Sequence, residues 1–170
     1  MVWPFKKKMT VDYLASVVAG AIEENVSVYH EALRNHAAEN VSDQEMAGLE
    51  PELWAVELSL LDVVLPMTNV PPEAAQQLVP MVVVGYSPLD KDEYLERAQY
   101  YAAAISKGAP DQFTAIVGAA FVRASGIEYK AERQDVNKKA LEWAIGAVAT
   151  GSFQGLLGLV GDVSRKYRIY

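Results

Sequence analysis

The chain contains no cysteine, which excludes a disulfide framework, thiolate zinc sites and thiol catalysis. Histidine is nearly as scarce. The two residues present, His30 and His36, are six apart and so point about 120° away from each other on a helix. Neither has a glutamate three residues before it, so the Glu-x-x-His pairs that bind metals inside helical bundles are missing and no metal is expected. A nucleophile elbow of the form Gly-x-Ser-x-Gly is also missing. Gly146 and Gly151 have the outer spacing of a phosphate-binding loop, but no lysine follows to reach a phosphate. No cofactor is therefore expected.

Basic residues are nearly missing from the first third. Eleven acidic side chains lie between Asp12 and Asp62, against Arg34 as the single lysine or arginine there. Such a surface repels phosphates, so a bulk nucleic-acid role is disfavoured and a basic protein partner, or a second copy of the chain, is expected. The net charge of −7 is unevenly spread, because Lys6, Lys7, Lys8, Arg165, Lys166 and Arg168 gather six of the 15 basic residues at the two ends. No long apolar stretch ending in a small-residue cleavage site opens the chain. A cytoplasmic protein is expected, placed in the alternative against the inner face of the membrane.

What the sequence does hold is helical periodicity. At 170 residues, with 51% hydrophobic and 22% charged residues, the chain is of a size and composition to build one core. No Gly-, Pro- or Ser-rich stretch separates two domains. The expectation is an all-α fold, an antiparallel bundle of six to seven helices in a single compact domain over residues 10–170, preceded by a flexible aromatic and basic tail over 1–9. Val11, Leu14, Val18, Ile22, Val28 or Tyr29, Leu33 and Ala37 recur near the helical period after Thr10, a candidate N-cap, and predict a long first helix ending near Asn40. Ser42-Asp-Gln-Glu45 has the form of a capping box. Leu53 to Leu65 is apolar nearly all round and reads as a central helix, started or kinked by Pro51.

Pro71 or Pro72 opens a further helix to about Val84. The run Met81 to Val84 is read as helix rather than strand, since no second strand-like segment exists to pair with it. Ser87-Pro88 or Asp90 to Glu93 caps a helix through Ser106 that Gly108 stops, Pro110-Asp111 opens another, and Gly126 closes it. The last two helices are predicted from about Glu128 to Thr150 and from Ser152 to Tyr167, broken at Gly151 into a hairpin. The segments Val17 to Ile22, Ile116 to Phe121 and Ile145 to Ala149 resemble one another, without a fixed period, and read as Ala/Gly/Val packing surfaces.

Three constellations could carry function. Gly151, Gly155, Gly158 and Gly161 share one side of the last helix, opposite Leu156, Val160 and Tyr167, and leave a flat strip for close helix contact, within the chain or in a homo-oligomer. Trp3 and Phe5 with Lys6, Lys7 and Lys8 combine interfacial aromatics with positive charge, as a membrane-surface contact would. Glu57 and Asp62 sit deep in an apolar run, and with Trp54, Tyr100 and Tyr101 form the candidate pocket of a small-ligand binder or enzyme. The leading expectation is a non-enzymatic interaction protein that binds a protein partner or itself. Peripheral membrane association is the alternative.

Overall fold

A computed structural model describes residues 7–37, 41–106, 110–127 and 134–170. The described chain is predominantly helical: α1 (Val11–Ala37), α2 (Asp43–Gly48), α3 (Glu50–Val64), α4 (Pro72–Tyr86), α5 (Lys91–Ser106), α6 (Phe113–Ala124) and α7 (Gln134–Lys166). The local signals act as the sequence suggests. Thr10 Oγ1 accepts the Tyr13 N–H at 3.2 Å. The Ser42 side chain accepts the Glu45 N–H while Glu45 accepts the Ser42 N–H, closing the capping box. That pairing holds the Glu45 carboxyl below its ordinary range. Pro51 stands in the first turn of α3, where its missing N–H costs nothing. Gly126 takes φ 65° just beyond α6, the left-handed conformation that ends a helix. The expected stops and starts at Asn40, Gly108 and Glu128 lie outside the described residues.

The core centres on α3. Every residue from Glu52 to Leu61 is buried, so this helix must be covered on all sides. α1 and α7 pack on it and on each other, α5 lies along another flank, and α4 packs against α1. Of α1, the stripe Leu14, Val18, Ile22, Tyr29 and Leu33 is fully enclosed at 0% exposure, which is the face that the period of apolar residues marks out.

Two expectations fail. Residues 7–9, read as part of a flexible tail, form a strand β1 (Lys7–Met9) that pairs in parallel with β2 (Tyr167–Ile169), in the register Lys7–Tyr167, Lys8–Arg168 and Met9–Ile169. The ladder continues into the Tyr170 N–H donating to Met9 O and the Val11 N–H donating to Tyr170 O. Met9 and Ile169 are buried on the inner side, which fastens the two ends of the chain to the core and to each other. The second failure is the break at Gly151. α7 runs unbroken for 33 residues, because an exposed glycine costs a helix only about 1 kcal/mol and the packing of its other face outweighs that.

Among the described residues, Asn137–Lys166 is the one helix long and apolar enough to cross a membrane. Its Leu141, Ile145, Ala149, Leu156 and Val160 are buried in the core. Among the described glycines, the two that another helix backbone approaches most closely lie where it meets α6. A Cβ placed on Gly118 would lie 1.7 Å from the Glu142 carbonyl oxygen, and one on Gly146 would lie 1.9 Å from that of Thr114. Thr114 and Thr150 join hydroxyls across the same seam at 2.7 Å. The two backbones touch, and only glycine permits it. In contrast, Cβ positions on Gly151, Gly155, Gly158 and Gly161 meet nothing within 4 Å.

Alanine scanning of glycines should therefore split into two groups. Gly118→Ala and Gly146→Ala should each destabilise by about 3 kcal/mol or more, since a backbone must be displaced. Gly155→Ala and Gly158→Ala should be neutral or stabilise by up to about 1 kcal/mol. Urea denaturation followed by circular dichroism measures both, and equal losses in the two groups would refute the assignment of the seam.

Candidate functional site

Where α1, α3 and α7 meet, the buried Glu57, Tyr29 and Ser152 sit inside the apolar core, with the half-buried Asn25 at its edge. Glu57 of α3 is 0% exposed. Its Oε2 accepts from Asn25 Nδ2 of α1 at 2.8 Å, while Oε1 has no hydrogen-bond partner. The hydroxyl of Tyr29, also 0% exposed, is likewise unpartnered. It is electrostatically coupled to Glu57 and Ser152, the third buried neighbour, contributed by α7. No ion pair neutralises Glu57 among the described residues. A carboxylate withdrawn from water without a countercharge favours its protonated form. Burial pushes the Glu57 carboxyl up to about 7, against the smaller opposing effects of Asn25, Ser152 and Tyr29. The Tyr29 hydroxyl is raised for the same reason, burial first and then the adjacent Glu57.

The flank of α3 that faces α5 is polar in a different way. Tyr94, Arg97 and Tyr101 follow one another at helical spacing along α5, and α3 answers with Asp62 at one end and Glu52 at the other. Tyr94 Oη donates to Asp62 Oδ2. Arg97 forms an ion pair with Glu52 Oε2, and Tyr101 Oη donates to Glu52 Oε1. The rising order on α3 meets the falling order on α5, so the contacts also set the relative direction of the two helices. Glu52 is buried at 5% exposure yet satisfied on both oxygens. Tyr101 is raised by burial and by Glu52, and Tyr94 by burial and Asp62. Burial raises the Asp62 carboxyl too, against the Tyr94 hydrogen bond, although its outer edge reaches solvent.

The candidate pocket residues are thus not gathered around one cavity. Glu57 and Asp62 are five residues apart on α3, about 140° around the helix, and they face α1 and α5 respectively. Trp54 is 4% exposed in the core. Tyr101 points to Glu52, and Tyr100 stands edge-on to it at 5.3 Å, with its hydroxyl on the Ala120 carbonyl at 3.0 Å. Of three open surface depressions, one is lined by Tyr100 together with Ala103, Ile116 and Arg123 and the other two by none of the candidates; Glu57 lines none of the three. Among the described residues no group of three metal-ligating side chains exists. The Glu52–Arg97–Tyr101 network was not anticipated, although the shared face of Tyr94, Arg97 and Tyr101 was there to be read.

The surface candidates are placed as follows. Gly151, Gly155 and Gly158 are exposed and Gly161 half-buried, and among the described residues nothing lies within 4 Å of a Cβ placed on any of them. Lys7 and Lys8 are exposed on β1, while Trp3, Phe5 and Lys6 lie outside the described residues. β-Pairing brings Lys7 and Lys8 beside Arg168, and Arg165 and Lys166 follow on the adjoining last turn of α7, where both pair with Asp162. Compared with protein-family models, curated proteins and solved structures, the chain matches none. Function must be argued from the residues themselves.

The chemistry of the buried cluster has a consequence in solution. Raising the folded-state value of an acid from 4.5 to about 7 means that the folded protein holds the proton more tightly than the unfolded chain. The contribution is fully present below about pH 4.5 and is lost as pH rises through about 7, on the order of 3 kcal/mol in total. Glu57→Gln keeps the shape and removes the titration. The stability of the wild type relative to this variant should fall between about pH 5 and about pH 8. Parallel pH profiles in chemical denaturation would rule the linkage out.

Proposed function

We propose that the protein is a non-enzymatic interaction protein, an antiparallel helical bundle whose acidic face, on α1 and the start of α3, receives a basic protein partner. The observation that carries this reading is the arrangement of exposed carboxylates. Glu23, Glu24 and Glu31 are exposed within about 100° of the circumference of α1. Glu50 of α3 lines a depression of about 600 Å³ together with Ser27, His30 and Arg34 of α1. Charges presented together in this way steer a partner of opposite sign. The inaccessibility of Glu57 favours binding over catalysis, because general acid–base chemistry needs the carboxyl within hydrogen-bond reach of a substrate.

The test is affinity capture from the native host at about 0.05 M and about 0.5 M salt, where screening lengths differ severalfold. A partner retained at low salt should be released at high salt and lost from Glu23→Lys/Glu24→Lys/Glu31→Lys. A partner held equally by both proteins at both salts counts against the acidic face.

Self-association through α7 is a second reading, favoured by one observation. Gly151, Gly155 and Gly158 each forgo about 1 kcal/mol of helix stability relative to alanine, while the fold around them leaves Cβ space open. A second backbone laid on this strip would use that space. Sedimentation equilibrium should then show an oligomer that Gly155→Leu/Gly158→Leu dissociates. A wild-type monomer throughout the micromolar range would remove this reading.

A further inference from the structure

We propose that the joined chain ends form a docking surface for an anionic membrane. In the sequence the two basic clusters are separated by almost the whole chain. The parallel pairing of β1 with β2 makes them one surface, setting Lys8 opposite Arg168 and Lys7 opposite Tyr167. Strand alternation then divides the side chains: Met9 and Ile169 go into the core and Lys8 and Arg168 to solvent, while Lys7, on the Met9 side, is exposed at the open start of β1. The positive charges are therefore held on a fastened backbone. Lys7, Lys8 and Arg168 make no ion pair among the described residues. Arg165 and Lys166 share only Asp162, an exposed carboxylate held below its ordinary range chiefly by Arg165. Five cations against two carboxylates, Asp162 and Asp12, leave a local excess on a chain that is acidic as a whole.

What distinguishes a membrane from other anionic partners is the apolar surface beside this charge. Tyr170, whose ring lies 5.9 Å below Lys8 Nζ, is 63% exposed, and Tyr13 in the first turn of α1 is 60% exposed. The same turns of α1 share a surface depression with the end of α4, through Asp12, Ala15, Val84 and Tyr86. Val84 there is 79% exposed and Tyr86 49%. A tyrosine ring against Lys8 and, across the depression that the first turns of α1 share with α4, an exposed tyrosine and aliphatic side chain match the two layers of a bilayer interface, headgroup charge and partly buried rings. A nucleic acid would use the charge and leave Val84 in water. Asp12 is the acidic group on this side and sets a distance below which approach becomes unfavourable. This surface shares no residue with the acidic face on α1, so either can fail alone.

The experiment is flotation of the full chain with vesicles of phosphatidylcholine alone or with about a third phosphatidylserine, repeated at raised salt. The wild type should float with the anionic vesicles only, less so as salt rises. Each basic residue near an anionic leaflet contributes about a fivefold increase in partitioning, so Lys7→Gln/Lys8→Gln/Arg168→Gln should lower it on the order of 100-fold. Val84→Glu should weaken it with the basic residues intact, which keeps the idea testable should the triple variant lose its helical circular dichroism signal. Full-length protein that stays at the bottom of the gradient overturns the proposal. So does flotation insensitive to both variants, or a mixed-sequence DNA duplex that displaces the protein from the vesicles.

Discussion

α3 is enclosed on every side, and the rest of the molecule is arranged to enclose it. Ten consecutive residues, Glu52 to Leu61, are buried, so no face of this helix can be left to solvent and at least three other helices must reach it. Two of the ten are glutamates. Withdrawing a carboxylate from water costs several kcal/mol unless hydrogen bonds and countercharge replace the lost hydration. The fold meets that demand in two ways. Glu52 receives a guanidinium and a phenol from α5, which replace the hydration it loses. Glu57 receives an amide from α1 and a neighbouring phenol and serine, no cation, and so tends to keep its proton. One helix thus carries a permanently satisfied carboxylate at its start and a titratable one at its centre. The pH sensitivity of the fold is concentrated where three helices meet.

Closure of the chain ends is the second organising contact, and it works with very little material. Each strand has three residues, too few to hold together alone in water. They persist because Met9 and Ile169 are buried and because α1 and α7, the two longest helices, lead directly out of and into them. Pairing also dictates electrostatics. Like charges in register repel at close range, so Lys8 beside Arg168 is a cost that the buried pair Met9 and Ile169 offsets. The result is a molecule whose charge is separated, basic where its ends meet and acidic along the outer side of α1.

The sequence made most helices readable because their signals are local. The capping box at Ser42, Pro51 in a first turn and the Leu14-to-Leu33 stripe each need only a few neighbouring residues to act. What was not readable is non-local. Lys7 and Tyr167 meet across nearly the whole chain, and a three-residue strand with lysines has no periodicity to reveal it. The site failed for a different reason. Glu57 and Asp62 look like one cluster when written side by side, yet a separation of five residues turns them to different neighbours, α1 and α5. The partners that decide their chemistry, Asn25 and Tyr94, stand 32 residues away in either direction. Only helix order in space could select them.

The glycines of α7 show how one error propagates. If the helix broke at Gly151, the residues on either side could turn independently, and all its glycines could line a single intramolecular seam. Without the break, rotation is fixed at about 100° per residue, and Gly146 and Gly151 must face about 140° apart. With Gly146 pressed against the Thr114 carbonyl of α6, Gly151, Gly155 and Gly158 are turned about 120° to 180° from that seam, while Gly161 comes back to about 60° and is half-buried. The exposure of the first three is therefore a geometric consequence of helix continuity, not a second feature needing its own cause. The same rotation places Leu156 and Val160 inward, which is what keeps α7 continuous through a glycine-rich stretch that would be a weak helix in isolation. The inner glycines allow α6 and α7 to touch, that contact and the buried leucines hold the rod straight, and the outer glycines are carried on it as open surface.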